Sequence, residues 1–285
     1  MKLLRCGAVG CERPAILDKN GQVRDLSGIV EDINPATICD VQILKRLRSL
    51  DSSKLRTIAK SVRVGPPIAR VGKLIGVGLN YLDHAVEANL PVPKEPILFM
   101  KATTAISGPY DDVEIPLGAE EVDWEVELGF VIGKRAKAVS LTQAMDHIFG
   151  YLIVNDVSER SWQARREGQW MKGKSHDTFA PLGPWLVTRE DVADPQNLAM
   201  TLDVAGVRRQ TGSTRTMIFG VAHLVHYISQ FMTLEVGDII TTGTPPGVGL
   251  GMKPPTYLKK GDVMKLSIEG LGHQQQTAIV KTTAR

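Results

Sequence analysis

Asp123-Trp124-Glu125-Val126-Glu127-Leu128 is the stretch on which the reading of this chain turns. Acidic and apolar residues alternate, and on a β-strand a period of two sends the three carboxylates to one face and Trp124, Val126 and Leu128 to the other. Three like charges on one face repel. Two accounts meet that cost. A solvated strand face is the simpler reading of the six residues taken alone; the other is a hard divalent cation that takes Glu125 and Glu127 as oxygen ligands.

Working outward, the apolar run 151–155 reads as a second strand, with Asp156 at its tip. A carboxylate there has little structural reason to exist, but it completes an acidic site suited to Mg²⁺ or Mn²⁺. If a helix begins just after it, Asp156, Arg160 and Gln163 share one face. A guanidinium and an amide beside a cation would bind an anionic, oxygenated ligand. The same helix, with Arg165 and Arg166, also reads as a wet surface. Lys174 is expected in a loop near this region, where its ammonium could neutralise developing negative charge. Upstream, Asn80-Tyr81-Leu82-Asp83-His84-Ala85-Val86-Glu87 follows a buried-looking strand and opens a short helical turn. His84 and Glu87 lie at i and i+3, so the carboxylate can orient the imidazole as a general base acting on water. Pro91-Val92-Pro93 then reads as the hinge of a mobile lid.

Gly168-Gln169-Trp170-Met171-Lys172-Gly173-Lys174-Ser175 satisfies the letters of a phosphate-binding loop. Its context does not: a charged helical stretch precedes it and Pro181, Gly183 and Pro184 follow, so no strand enters and no helix N-terminus leaves. Gly76-Val77-Gly78 lacks a third glycine, because residue 81 is Tyr, and no serine-nucleophile elbow occurs.

The rest of the chain frames these motifs. Its 285 residues, 43% hydrophobic and 23% charged, exclude a disordered, collagen-like or coiled-coil chain. With 34 basic and 31 acidic side chains, net +3, and no Lys/Arg block, the footprint of a nucleic-acid binder is missing. No apolar run approaches the roughly 20 residues of a membrane span, and Arg5 interrupts any leader-like core, which together predict a cytoplasmic protein. Cys6, Cys11 and Cys39 lack zinc-site spacing and are expected as free thiols. The 27 Gly and 16 Pro predict many turns and much β structure. Strand-like runs fall at 74–78, 97–101, 124–133, 151–155, 184–188, 200–204, 238–242 and 262–269, and helical ones at 41–50, 142–149, 158–166 and 218–231. The chain therefore reads as α+β. The Val64-Gly65-Pro66-Pro67 turn divides a small N-terminal α/β domain, 1–68, from a larger domain, 69–285.

Five motifs in order resemble the fumarylacetoacetate hydrolase family from about Val71 to the C-terminal end. They are the Gly78-to-Glu87 segment, Glu125-x-Glu127, Asn155-Asp156 with Arg160 and Gln163, Gly173-Lys174-Ser175, and Thr242-Gly243-Thr244-Pro245-Pro246-Gly247-Val248-Gly249. The resemblance implies a mixed β-roll catalytic domain, usually a homodimer, with Mg²⁺, or Mn²⁺ as the alternative, held by Glu125, Glu127 and Asp156. It further implies Lys174 as the active-site lysine, Arg160, Gln163 and Thr244 as substrate contacts, and His84 with Glu87 as a catalytic dyad on a lid. The implied activity is hydrolysis of the C3–C4 bond of a 2,4-diketo acid. Where mitochondrial acylpyruvate hydrolases carry a carboxylate-binding arginine, this chain has Leu79, which points away from a simple acylpyruvase. The wording around Trp170-x-Lys172-Gly173-Lys174 and Gly251-Met252-Lys253 is similar to bacterial hydrolases of 2,4-diketo-3-deoxy sugar acids of the L-rhamnonate and L-fuconate type, which release pyruvate and L-lactate. A decarboxylase/isomerase of a 2-oxo dioic acid, an acylpyruvate hydrolase, a ureidoglycolate lyase and a metal-free binding protein on the same fold stand as the alternatives.

Overall fold

The computed structural model describes residues 1–280. Its centre is an antiparallel pair, Val126–Ile132 and Ile148–Asn155, in register from Val126 opposite Asn155 to Ile132 opposite Ile148. Every residue of both strands is buried. Full burial of both faces explains why the sequence there loses strict alternation beyond Leu128 and runs apolar, as strands covered on both sides do.

Around this pair the sheet extends both ways. On one side Ile239–Thr241 pairs antiparallel with Val126–Ile132, Leu74–Gly78 lies parallel to it, and Ile97–Lys101 closes the edge. On the other side Ala180–Thr188 pairs with Ile148–Asn155 and then with Lys2–Cys6, through Leu3 opposite Leu186. The N-terminal strands Arg13–Leu17 and Val23–Asp25 thus continue the same sheet, while Leu4, Cys6 and Ala15 gather a small core of their own. Helices Pro35–Cys39 and Val41–Ser49 complete this α/β part, each opened by a side-chain cap: Asn34 accepts from Thr37 N, and Asp40 from Gln42 N and Ile43 N.

A second sheet of five strands, in the order Val207–Ser213, Ala199–Val204, Val263–Ile268, Gly272–Val280, Val113–Ile115, packs against the central pair. Helix Val221–Phe231 sends Val221, Leu224, Val225 and Ile228 into the same core. This is the expected α+β architecture with a small N-terminal part. Among the described residues, no helix is long and apolar enough to cross a membrane. Cys6, Cys11 and Cys39 are free.

Three local expectations change. The strand expected at 124–133 is broken: Val122–Asp123 pairs with Ser158–Glu159, and the main ladder resumes only at Val126. The helix expected at 142–149 is a 3₁₀ segment, Leu141–His147, because the strand claims Ile148 and Phe149. The helix expected at 158–166 is cut to Arg160–Ala164, its first two residues serving as strand. In the last two cases β-pairing outweighed a helical pattern.

Candidate active site

Register builds the acidic centre. Val126 faces Asn155, so Glu125 and Asp156 come next on their two chains, and Asp156 N donates to Glu125 O at 2.9 Å. Glu127 lies two residues on, along the same strand face. Glu125, Glu127 and Asp156 are buried, and one carboxylate oxygen from each lies within 4.8 Å of the others. The solvated-face account of this strand is therefore overturned. Asp123 departs from the group. Its carboxylate accepts from Arg160 Nε at 2.8 Å and from the amides of Gly249 at 2.7 Å and Leu250 at 3.0 Å, which ties down the loop over the site.

Three buried cations answer the carboxylates. Lys174 Nζ donates to Glu125 at 2.8 Å and to Asp156 at 2.7 Å. It sits on a short helix, Met171–Lys174, and not in the expected loop. Arg160 donates to Glu125 at 2.6 Å and to Gln163 Oε1 at 3.1 Å, so it is a buried ligand of the centre and only Arg165 and Arg166 form the wet side. Lys101, fully buried, donates to Asp156 and, at 3.1 Å, to Val157 O. Sequence reasoning missed it. Its signal was a lysine closing the otherwise apolar strand Ile97–Lys101.

Charge is unevenly shared. Burial alone would raise Glu125, but Arg160 and Lys174 overcome it and hold the carboxyl well below its usual range. Among the described residues Glu127 makes no ion pair; it accepts from the Thr241 hydroxyl and, at 2.9 Å, from Gly243 N. Burial, then Asp156 and Glu125 beside it, push its carboxyl well above the usual value. Burial lowers Lys101 in spite of Asp156, whereas for Lys174 the facing Asp156 and Glu125 outweigh burial and raise it. Three hard oxygen donors converge, and one of them has no ion-pair partner among the described residues. That set fits a divalent cation, whose charge would offset the crowding of the three carboxylates.

The second group comes from helix Leu82–Glu87. His84 Nδ1 and Glu87 Oε2 are 3.0 Å apart, and the other Glu87 oxygen accepts from Gly247 N at 2.8 Å. Nδ1–H donating to the carboxylate leaves Nε2 as the acceptor. Asn80, from the same motif, is spent on structure: it exchanges hydrogen bonds with the Phe219 backbone at 2.8 and 3.0 Å and donates to Thr242 O at 2.9 Å. The Thr244 hydroxyl is likewise committed, donating to Val126 O at 2.9 Å and accepting from Gln210 at 2.8 Å. Thr244 still lines the cavity, its hydroxyl tied to Val126 and Gln210.

His84, Glu87, the three carboxylates, Arg160, Gln163, Lys174 and Thr244 all open on one cavity of about 730 Å³. Beyond this charged floor its walls are apolar, led by Leu79, Phe99, Trp170, Leu250 and Met252. The wall explains the two glycines of Gly76-Val77-Gly78. They share one face of their strand, and a Cβ at Gly76 would lie 2.1 Å from Phe99, one at Gly78 2.4 Å from Trp170. The two rings meet at 5.6 Å between centroids, with Lys174 Nζ 5.0 Å from the Phe99 ring. Gly78→Ala is expected to destabilise the protein by about 1–3 kcal/mol through overpacking. Adding Trp170→Leu should recover most of that loss in chemical denaturation; no recovery would separate the glycine from the ring.

A buried carboxylate triad that fits a divalent metal, Lys174 and a His–Glu pair around one cavity on a β-rich sheet are the equipment of a metal-dependent enzyme. Residues 73–279 match the model of the fumarylacetoacetate hydrolase C-terminal family, and the chain belongs to that family. A Burkholderia multivorans protein carrying a general, provisional hydrolase name is 56% identical over 277 residues, covering 97% of this chain and 98% of its own. Fumarylacetoacetate hydrolase from Exiguobacterium antarcticum superposes with a TM-score of 0.86 at 35% identity, covering 99% of this chain and all of its own. Maleylpyruvate hydrolase from Sphingobium, solved with manganese(II) and pyruvate, gives 0.83 at 28% identity with the same coverage.

Proposed function

We propose that this enzyme hydrolyses the C3–C4 bond of a 2,4-diketo acid, with a 2,4-diketo-3-deoxy sugar acid of the L-rhamnonate or L-fuconate type as substrate and pyruvate and L-lactate as products. The observation that carries the reading is the His84–Glu87 pair, 3.0 Å apart, opening on the same cavity as the carboxylate triad and Lys174. Hydrolysis needs a base for water, and this pair supplies one beside the charged floor.

Glu125, Glu127 and Asp156 would hold the metal, Mg²⁺ or Mn²⁺, which when bound supplies charge stabilisation at the 2-oxo acid end of the substrate. Arg160 and Gln163 border that end and orient it. Glu87 holds the imidazole, and His84 Nε2 takes a proton as water oxygen bonds to C4. The C3–C4 bond breaks, its electron pair goes to the three-carbon fragment as an enolate, and Lys174 neutralises the developing charge. The proton held by His84 then passes to C3, giving pyruvate, while C4 leaves as a carboxylic acid that loses its remaining proton to water. Leu79 and the apolar wall suit the methyl terminus of such a substrate better than a second carboxylate. The Sphingobium relative, a hydrolase seen with pyruvate and manganese(II), is consistent with this product and metal class. We take the working form to be a cytoplasmic homodimer.

The test is pyruvate release from 2,4-diketo-3-deoxy-L-rhamnonate or L-fuconate, with Mg²⁺ and with EDTA. Equimolar pyruvate and L-lactate, lost in EDTA, is the expected result. No pyruvate from a sample that binds the metal would move the enzyme to the decarboxylase and isomerase chemistry of 2-oxo dioic acids.

A further inference from the structure

The inner face of the five-stranded sheet carries amides where a sandwich interface calls for apolar residues. Gln210, Gln274 and Gln276 are all buried there, the first two fully. Buried amides are costly unless every polar atom is satisfied. Gln210 is satisfied in a particular way. Its Oε1 accepts from Val126 N at 3.0 Å, and its Nε2 donates to Thr244 Oγ1 at 2.8 Å and to Pro245 O at 2.7 Å. The Thr244 hydroxyl in turn donates to Val126 O at 2.9 Å.

These bonds close a ring: Val126 N–H to Gln210, Gln210 to Thr244, Thr244 to Val126 C=O. The ring grips both peptide groups of the single residue between Glu125 and Glu127. On the side of Ile239–Thr241 no strand reaches them, because that strand pairs with Val126–Ile132 only at Gly129–Val131. One residue back, Glu125 N donates to Asn155 Oδ1 at 3.3 Å, again to a side chain. The acidic segment is therefore held at its functional end by amides.

We propose that Gln210 is a positioning residue for the metal centre: by clamping Val126 it fixes the separation and direction of the Glu125 and Glu127 carboxylates, and through Thr244 and Pro245 it holds the cavity loop in step with them. The inference rests on the triad being a metal site, so the test begins with Mn²⁺ alone, titrated into the unaltered protein and followed by the paramagnetic resonance of the free ion.

Gln210→Met keeps length and removes every hydrogen bond. Its Mn²⁺ affinity is expected to fall ten- to hundredfold, the range for groups that orient metal ligands. Thr244→Val opens the ring at another corner and should give a loss of the same order, while Thr244→Ser should restore near-normal affinity. Melting in EDTA separates the two roles. A merely structural glutamine would lower the EDTA melting temperature and leave Mn²⁺ affinity unchanged, which would overturn the proposal. Should Gln210→Met fail to fold, the Thr244 pair decides: equal Mn²⁺ affinity in the Val and Ser variants overturns it. No Mn²⁺ binding by the unaltered protein would overturn the metal reading and this inference together, whereas binding that Gln210→Met and Thr244→Val leave intact would remove this inference alone.

Discussion

Replacing His84 with alanine is expected to reduce turnover by about 10³-fold or more while Mn²⁺ affinity stays unchanged. The magnitude is that of a lost general base. The split follows from geometry: His84 pairs with Glu87 at 3.0 Å on its own helix, and the buried carboxylates that would hold the metal belong to other segments. Glu87→Gln should cost less, because its one amide oxygen can still accept from His84 Nδ1, although the amide nitrogen then faces the Gly247 N–H. Single-turnover pyruvate release and metal titration on the same samples check both statements. Normal turnover in His84→Ala would remove the base from the mechanism.

Glu127→Gln is expected to act with opposite signs on the two forms of the protein, raising the stability of the metal-free form and abolishing stabilisation by metal. A carboxyl whose folded value is raised favours its protonated form. Its contribution to stability is present below the unfolded value and is lost as pH rises toward the raised one. The metal-free protein should therefore weaken as pH rises above the ordinary carboxylate range, and the glutamine variant should lose that slope. With metal at a hundredfold excess over Kd, the unaltered protein gains about 2.7 kcal/mol, which the variant forgoes. Asp156→Asn should also weaken metal binding but destabilise the metal-free form, because Asp156 is the acidic partner of Lys101 and shares Lys174 with Glu125. Thermal unfolding in EDTA and in Mn²⁺ at two pH values reads all of this. Equal stabilisation by Mn²⁺ in Glu127→Gln and the unaltered protein would discredit Glu127 as a ligand.

Much of the site was legible because its residues break local rules. Glu125 and Glu127 on an otherwise apolar strand, Asp156 at a strand tip and a His–Glu pair after a buried run each violate the usual sorting of charge to water. The boundaries were less legible. Segments 142–149 and 158–166 carry helical patterns, yet Val126–Ile132 took Ile148 and Val122–Asp123 took Ser158 and Glu159 as ladder partners, and those partners lie outside each segment.

By itself, the sequence determined the α+β class, the acidic strand, the dyad at i and i+3 and the failure of the phosphate-loop letters at Gly168-to-Ser175, since all of these depend on periodicity and near neighbours. Only the tertiary structure decided that Asp123 turns away from Glu125 and Glu127 to Arg160 and the loop at Gly249, and that Lys101 joins the triad from an edge strand. It also decided that Gly76 and Gly78 make room for Phe99 and Trp170, and that Gln210 reaches Val126 from another sheet. The reason is physical: each is a contact between residues far apart in the chain, set by which strands pair and which faces stack, and no local pattern encodes the partner.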